Sequence, residues 1–591
     1  MSVTLDGETL TPKDVAAVAR AGERVAIADE ARERVRQSRE RVEDVLDAGE
    51  PVYGLNTGFG ELVDERIPPA QVERLQTNLI RSHAAGGRRE LDREAVRAMM
   101  VARVNALLTG YSGVREIVVD HLVAMLNEGV HPVVKSHGSL GASGDLAPLA
   151  HMSLVLIGEG EAIVDDPNLD PDSGSGSDPD PDGENARNPA DPPHRVSGED
   201  ALESIGLEAL SLAPKEGLAL INGTQLTVGL AALAVVDSEE LVLAADVAGA
   251  LTTEVTLATT ATSDPAIHDV RPHEGQRRTA AHVRELTAGS EIVEAHRNCD
   301  RVQDAYSLRC LPQVHGAVRD AVSHLREAVE VELNSATDNP LVFAAADVDD
   351  RASGTDRAAV LSGGNFHGEP LALRLEYVRL ALTDLAAIAE RRIDRLLNPN
   401  LQEPHLPPFL APESGLQSGY MIVQYTAAAL VNESRSLGAA VTDNTPVSGG
   451  QEDHVSMSNQ SALHVRRVLE NTVAVVAAEL VCGAQAAEFV GDAVEIRDGA
   501  EETESDLDLE PEPEPDDRKR DTVADEREDS SRPSLGTGTA AAYDCVRDVV
   551  PPLTDDRPVH EDVTAVVSLL EDGTVLERVA DRCGVAEDGD L

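Results

Sequence analysis

Tryptophan is absent from this 591-residue chain, phenylalanine occurs five times and tyrosine seven. A core with so few rings must be filled by aliphatic side chains, and each tyrosine is scarce enough to weigh individually. Lysine is almost missing as well: Lys13, Lys135, Lys215 and Lys519 are the full set, and the other basic residues are arginines. Positive charge is outnumbered, with 106 Asp and Glu against 50 Lys and Arg and a formal charge of −56. A surface of that sign repels phosphates, which argues against nucleic acid or an anionic membrane as partner. It suits concentrated salt, where the Debye length shrinks to roughly 3 Å at 1 M and self-repulsion is tolerable. The expectation is a halophilic, acidic protein.

The five cysteines (Cys299, Cys310, Cys482, Cys545 and Cys583) are scattered and odd in number, with no CxxC pair. Neither a disulfide framework nor a zinc ribbon is expected, and a reducing cytoplasm fits. Residues 1–10 lack the basic and apolar regions of a secretory signal. Charges such as Asp237 and Asp384 interrupt the apolar stretches, so none reads as membrane-spanning. His268 and His273 lie five apart in a Pro-containing loop, not at a zinc-helix spacing, and no GxxxxGK[ST] loop occurs. No metal and no diffusible cofactor is expected.

What is abundant is helical patterning. Between Leu371 and Leu397, apolar residues fall at Leu375, Val378, Leu382, Leu385, Ala389, Ile393 and Leu396, the three-and-four spacing of a packed seam. Residues 227–262, 314–333, 418–437 and 458–489 read similarly, so the fold class is mainly α, with a long central helix bundle and a smaller N-terminal α-rich domain. The division expected along the chain is 1–200, 201–498 and 535–591. Acidic Asp/Pro/Gly/Ser-rich insertions at 164–198 and 499–534 have compositions that cannot bury a core, and 345–358 reads as a shorter loop.

The most informative run is Gly138-Ser139-Leu140-Gly141-Ala142-Ser143-Gly144-Asp145. In a tight turn the Gly144 nitrogen can reach the carbonyl carbon of Ala142. Ring closure with loss of one water, and elimination of the Ser143 hydroxyl as a second, would leave a methylidene-imidazolone. Ala142 and Gly144 would carry the 5-imidazolinone cross-link and Ser143 would become 2,3-didehydroalanine. Glycine is required because its nitrogen must approach closely with no Cβ in the way. A bare Ala-Ser-Gly is more often a turn opening a helix, with Ser143 or Asp145 as N-cap; the surroundings decide.

Those surroundings come as ordered blocks: Tyr53-Gly54-Leu55-Asn56-Thr57-Gly58-Phe59-Gly60, Asn78 to His83, Leu218 to Gln225, Gln303 to Cys310, Gly363 to Pro370 and Gln451 to Met457. Together with the Ala-Ser-Gly run they resemble the aromatic amino acid ammonia-lyases over about residues 50 to 460. Ser82-His83 and Gln451-Glu452-Asp453-His454 are similar to the histidine enzymes of that family rather than the phenylalanine ones. The resemblance implies a mostly helical homotetramer with active sites shared between subunits. It also implies a 4-methylidene-imidazol-5-one group formed autocatalytically, and deamination of L-histidine to trans-urocanate and ammonia, the first step of histidine breakdown.

Removing ammonia from an amino acid calls for an electrophile and for a base at the β-carbon. By resemblance, Tyr53 is that base, Tyr306 stands beside the electrophile, and Asn222 holds the group's oxygen and orients the substrate. Phe366 packs against the reactive ring. Arg309 is the natural carboxylate clamp, since its planar fork matches two oxygens. His83 and Glu452 can hydrogen-bond both imidazole nitrogens, and Glu452 could equally act on the amine; Gln303 and Gln313 are secondary candidates. Each also has a plain reading: loop packing for Tyr53 and Phe366, a surface ion pair for Arg309, an Asn-Gly turn for Asn222. Two departures stand out, Ala305 where the family commonly has proline, and Gly449-Gly450 where it commonly has Ala-Asn. The competing enzymes are a tyrosine or phenylalanine lyase, or an aminomutase using the same electrophile. The competing non-enzyme is a salt-adapted helical scaffold, which leaves the Ala-Ser-Gly setting without a reason. Whether amine or ring meets the electrophile stays open at this level.

Overall fold

The computed structural model describes residues 2–49, 68, 71–164, 194–297, 302–349, 353–442, 445–491 and 533–584. Tyr53, Cys299 and most of both acidic insertions lie outside these residues. Helices dominate, as the periodicity predicts. The expected segments become the helices Gln225–Val255, Leu311–Leu333, Glu369–Leu397, Met421–Ser436 and Ser458–Ala487. All seven seam residues from Leu375 to Leu396 are buried. The first helix stops earlier than its apolar pattern suggests. Leu257 takes a left-handed φ of 53°, its N–H donates to the Glu254 carbonyl, and that of Ala258 reaches back to Thr253. These bonds cap the helix C-terminus before Thr262.

Two compact units interleave along the chain. One comprises Met1–Asp237, Ala321–Arg379 and Leu437–Arg467; the other comprises Ser238–Asp320, Leu380–Ser436 and Val468–Leu591. Four of the five dividing points fall inside long helices and the fifth at the end of Met421–Ser436, so the units do not follow the linear ranges 1–200, 201–498 and 535–591.

In the first unit the Arg93–Leu108 helix is buried from Ala95 to its end, Arg97, Arg103 and Asn105 included. Its Asp92 N-cap accepts from the Ala95 N–H at 2.9 Å. Three small sheets trim this unit: Ser2–Leu5 parallel to Arg24–Ile27, the antiparallel set Val130–Pro132, Glu161–Val164 and Arg195–Ser197, and Leu341–Ala344 with Ala358–Leu361 and Ser353–Gly354. The last corrects the reading of 345–358 as a plain loop, because Ser353–Gly354 and Ala358 already pair as strands.

The second unit has a polar heart. Asp246 is buried and accepts from His282 Nδ1 at 2.8 Å, His315 Nδ1 at 2.7 Å and Arg319. Nearby, buried Arg392 makes a two-pronged pair with Glu479 at 2.5 and 2.9 Å. Among the described residues one helix, Ser458–Ala487, is long and apolar enough to cross a membrane, but 83% of its apolar window is buried within the protein. Cys310, Cys482, Cys545 and Cys583 are free thiols.

Candidate active site

The loop carrying Ala142-Ser143-Gly144 opens the Leu146–Leu156 helix, and every neighbour described for it belongs to the first unit. Gly141 and Gly144 have φ of 71° and 76°, the left-handed region that glycine supplies without cost. Gly144 lies against Gly223: a Cβ there would sit 2.1 Å from the Gly223 carbonyl oxygen. The same oxygen accepts from the Asp145 N–H at 2.7 Å. At Gly141 a Cβ would lie 2.1 Å from Ser456 Oγ, and the Gly141 carbonyl accepts from Gly368 N–H and Ser456 Oγ at 2.9 and 3.1 Å. Met457 N–H donates to the Leu140 carbonyl at 2.7 Å. The loop is therefore held by three distant stretches of chain at once.

Asp145 occupies the N-cap position, yet its side chain does not cap the helix. Instead its buried carboxyl accepts from Ser139 Oγ at 2.7 Å, Thr227 N–H at 2.8 Å and Thr227 Oγ1 at 3.1 Å. Burial pushes this carboxyl above its ordinary range, against the lowering effect of those bonds. The helix-cap explanation of the motif thus fails for Asp145. For Ser143 the partners lie elsewhere too.

Ser143 Oγ donates to Glu452 Oε1 at 3.1 Å, and the Ser143 carbonyl accepts from Asn222 Nδ2 at 2.7 Å. Asn222 ends the Glu216–Ile221 helix, is buried, and leaves its Oδ1 with no hydrogen-bond partner. A buried acceptor without a partner is costly, and an incoming donor group would satisfy it. These features fit the methylidene-imidazolone: ring closure would make the Ser143 carbonyl the ring oxygen, already under the Asn222 amide. Glu452 follows a turn in which Ser448, Gly449 and Gly450 have φ of 53°, 67° and 95°. The Gly449-Gly450 departure is thus a conformational one, with glycine at two left-handed positions.

His83 is half-buried at the end of the Val72–His83 helix, its Nδ1 2.9 Å from the Leu79 carbonyl. That contact requires a proton on Nδ1, so in neutral His83 Nε2 is the acceptor. Phe366 is half-buried in the turn before Glu369–Leu397. Beside it, His367, Glu369 and His454 bring ligand-type atoms within 4.8 Å of one another, a grouping that spacing did not reveal. The two imidazoles are stacked, 5° from parallel with centroids 5.7 Å apart.

Gln303, Tyr306 and Arg309 belong to the second unit, where they form a group of their own. Arg309 Nη1 donates to Gln303 Oε1, and its guanidinium carbon lies 5.9 Å from the Tyr306 ring centroid. Tyr306 is 74% exposed, an unusual position for one of seven tyrosines. Ala305 has a φ of −63°, the angle proline would impose, so the backbone here keeps the form that the missing proline fixes. Gln313 holds a buried Oε1 without a partner.

A sequence profile described as aromatic amino acid lyase matches residues 10–506. The chain belongs to that family. It is 57% identical over 578 residues to a probable histidine ammonia-lyase of Halobacterium salinarum, covering 98% of each chain. To the histidine ammonia-lyase of Anaeromyxobacter sp. strain K it is 44% identical, covering 97% of this chain and 99% of the other. Among solved structures, histidine ammonia-lyase from Trypanosoma cruzi superposes with a TM-score of 0.79 at 35% identity, covering 100% of this chain and 96% of that one. Tyrosine aminomutase from Streptomyces globisporus gives 0.81 at 34%, covering all of both.

Residue reading missed the supports of the loop: Ser139, Thr227, Ser456, and Arg103, whose guanidinium meets the Asn222 carbonyl at 2.9 Å. Arg103 did carry a signal, as one of few polar residues in the apolar run from Met99 to Leu108.

Proposed function

We propose that this protein is a histidine ammonia-lyase, converting L-histidine to trans-urocanate and ammonia in the first step of histidine degradation. The observation that carries the reading is the Ser143 setting. Its carbonyl lies under Asn222 Nδ2, its hydroxyl against Glu452, and Gly144 is pressed onto Gly223. The names of the Halobacterium and Anaeromyxobacter relatives support histidine as substrate.

When formed from Ala142, Ser143 and Gly144, the methylidene-imidazolone supplies an electrophile that no ordinary side chain offers. Around it, Asn222 Nδ2 holds the Ser143 oxygen where negative charge would develop, the role of an oxyanion donor. Arg309 presents a planar fork to the substrate carboxylate, with Gln303 bracing one prong and Tyr306 beside it. Glu452 and, in the neutral form, His83 Nε2 offer acceptors to the N–H groups of an imidazole, a pairing a phenyl ring could not satisfy. Phe366 packs on the reactive side. Tyr53 takes the β-proton; with an ordinary pKa of about 10 it needs positive potential nearby. No metal takes part in this scheme. The protein works as a homotetramer in the cytoplasm, and an exposed apolar row on one helix (Leu373, Tyr377 and Leu380, each about half accessible) supports burial against other subunits.

Ultraviolet absorbance with L-histidine in high salt, beside Ser143→Ala, tests the reading. A rise from conjugated product in the parent alone is the expected result. The likeness to tyrosine aminomutase favours one alternative, a tyrosine enzyme using the same electrophile. A rise with L-tyrosine and none with L-histidine would select it and overturn the roles given to His83 and Glu452.

A further inference from the structure

Arg103 is one of the largest fully buried side chains of the protein, and within the described residues no carboxylate comes within ion-pair distance of it. Its guanidinium spends two donors on backbone carbonyls: Nη1 to Ala219 at 3.1 Å and Nη2 to Asn222 at 2.9 Å. Its Nε is buried with no partner. Burial pushes its pKa down to about 10, with Asp338 and Asp145 opposing from a distance. A buried cation without a bonded carboxylate is a costly choice for capping a six-residue helix. Water or a neutral amide could satisfy two carbonyls; only a rigid fork fixes their positions relative to each other.

The two carbonyls are those of the last helical turn and of Asn222 itself. The Asn222 side chain, on the same residue, reaches the Ser143 carbonyl at 2.7 Å. We infer that Arg103 is a positioning residue for the reaction: by clamping the Asn222 backbone it holds the Asn222 amide N–H on the oxygen where charge accumulates. The chain of contacts is Arg103 to Asn222 O, then Asn222 Nδ2 to Ser143 O, with no step left to a mobile group. A donor aimed at developing charge is effective only when its position is fixed before reaction. The inference rests on the proposed function, because it gives the Ser143 oxygen a catalytic meaning.

The test is a double-mutant cycle on the full-length protein in high salt, with Arg103→Lys, Asn222→Ala and the pair. Intact mass gives the fraction of each protein that has lost two waters, and rates are divided by that fraction. Arg103→Lys keeps the charge and loses the fork. It is expected to lower kcat at least about tenfold with little change in KM, as a displaced oxyanion donor should. In the Asn222→Ala background the same change should cost no further rate. Independent, multiplying losses would show that Arg103 acts on folding alone and would overturn the inference, as would a parental kcat in Arg103→Lys. If Arg103→Lys does not purify as folded protein, Arg103→Gln gives the same readouts. A parent at its unmodified mass removes the proposed function, and this inference with it; a parent two waters light with a multiplying cycle removes this inference alone.

Discussion

The two groups of candidate residues are built in opposite ways. In the first unit, the loop around Ser143 is buried and bonded on all sides, to Gly223, Thr227, Gly368, Ser456 and Met457, and its supporting arginine is sealed. In the second, Tyr306 and Arg309 stand on a four-residue helix with Gln303 in the chain just before it, and the Gln303 and Tyr306 side chains are exposed while Arg309 contacts both. The contrast follows from what each is proposed to do. A backbone that must attack itself needs its atoms pressed together against the chain's own entropy, as proximity arguments require. A clamp for an incoming carboxylate must keep its donors free of competing acids, and within the described residues Arg309 has no carboxylate partner.

The strongest challenge to that contrast is Gly144→Ala. With φ of 76° and the new Cβ 2.1 Å from a carbonyl oxygen, the loop cannot keep its path. Mass spectrometry should find the protein heavier than the parent by two waters beyond the methylene that alanine adds. Turnover should fall by about a thousandfold or more, roughly 4 kcal/mol at 1.36 kcal/mol per decade. A ring-bearing, active Gly144→Ala protein would show that the tight packing is incidental.

Arg309→Lys probes the other side. Lysine keeps the charge but not the fork, so KM for L-histidine should rise by about tenfold to a hundredfold, the loss of one strong charge-assisted bond. The melting temperature should move little, since Arg309 is only half-buried, its described partners are Gln303 and Tyr306, and lysine keeps the charge; substitutions away from such packing features stay within about 0.5 kcal/mol. A large fall in melting temperature would mean that this open group is structural after all.

Asp145→Asn falls between the two. The amide can keep one acceptor for Thr227 N–H but puts a donor where the Ser139 and Thr227 hydroxyls now donate, so those buried bonds must be reversed or lost. The expected cost is about 1–3 kcal/mol in chemical denaturation, with a lower ring-bearing fraction by mass. Parental stability would place the Asp145 cluster outside the loop's support.

How much of this could be read from residues alone differs between the same two regions. Long helices were legible because their apolar seams are local and periodic, down to Leu375 and Leu396. The Ala-Ser-Gly loop stood out as a candidate for chemistry, but its packing was not legible. Its contacts with Gly223, Gly368 and Ser456 join residues up to 315 apart in sequence, and no local pattern encodes such pairings. The interleaved units were hidden for a related reason, since their boundaries fall within continuous helices that look uniform in sequence. Arg309 was singled out through its motif, whereas Arg103 was passed over because an arginine in an apolar run resembles a helix edge until burial is known.

The smallest effect concerns the strand leading into the loop. Glu90 accepts from Lys135 Nζ and Arg195 Nη2, both at 2.7 Å, tying down the segment just before Ser136 and Gly138. Hydrogen bonds from Arg195 and Lys135 pull its carboxyl down to about 2, against a modest desolvation that raises it. A carboxyl depressed in the folded state adds stability that is fully present above its unfolded value near 4.5 and is lost as pH falls toward 2. The side chain is one-third exposed, so screening leaves about 1 kcal/mol or less, and less still in concentrated salt. Glu90→Gln should therefore lower stability slightly at pH 7 in moderate salt and match the parent near pH 2. Because one of its two partners is among only four lysines in an acid-rich chain, the difference between Glu90→Gln and parent should shrink as salt rises. A difference that persists unchanged at molar salt would mean that hydrogen-bond geometry, not charge, anchors the approach to the loop.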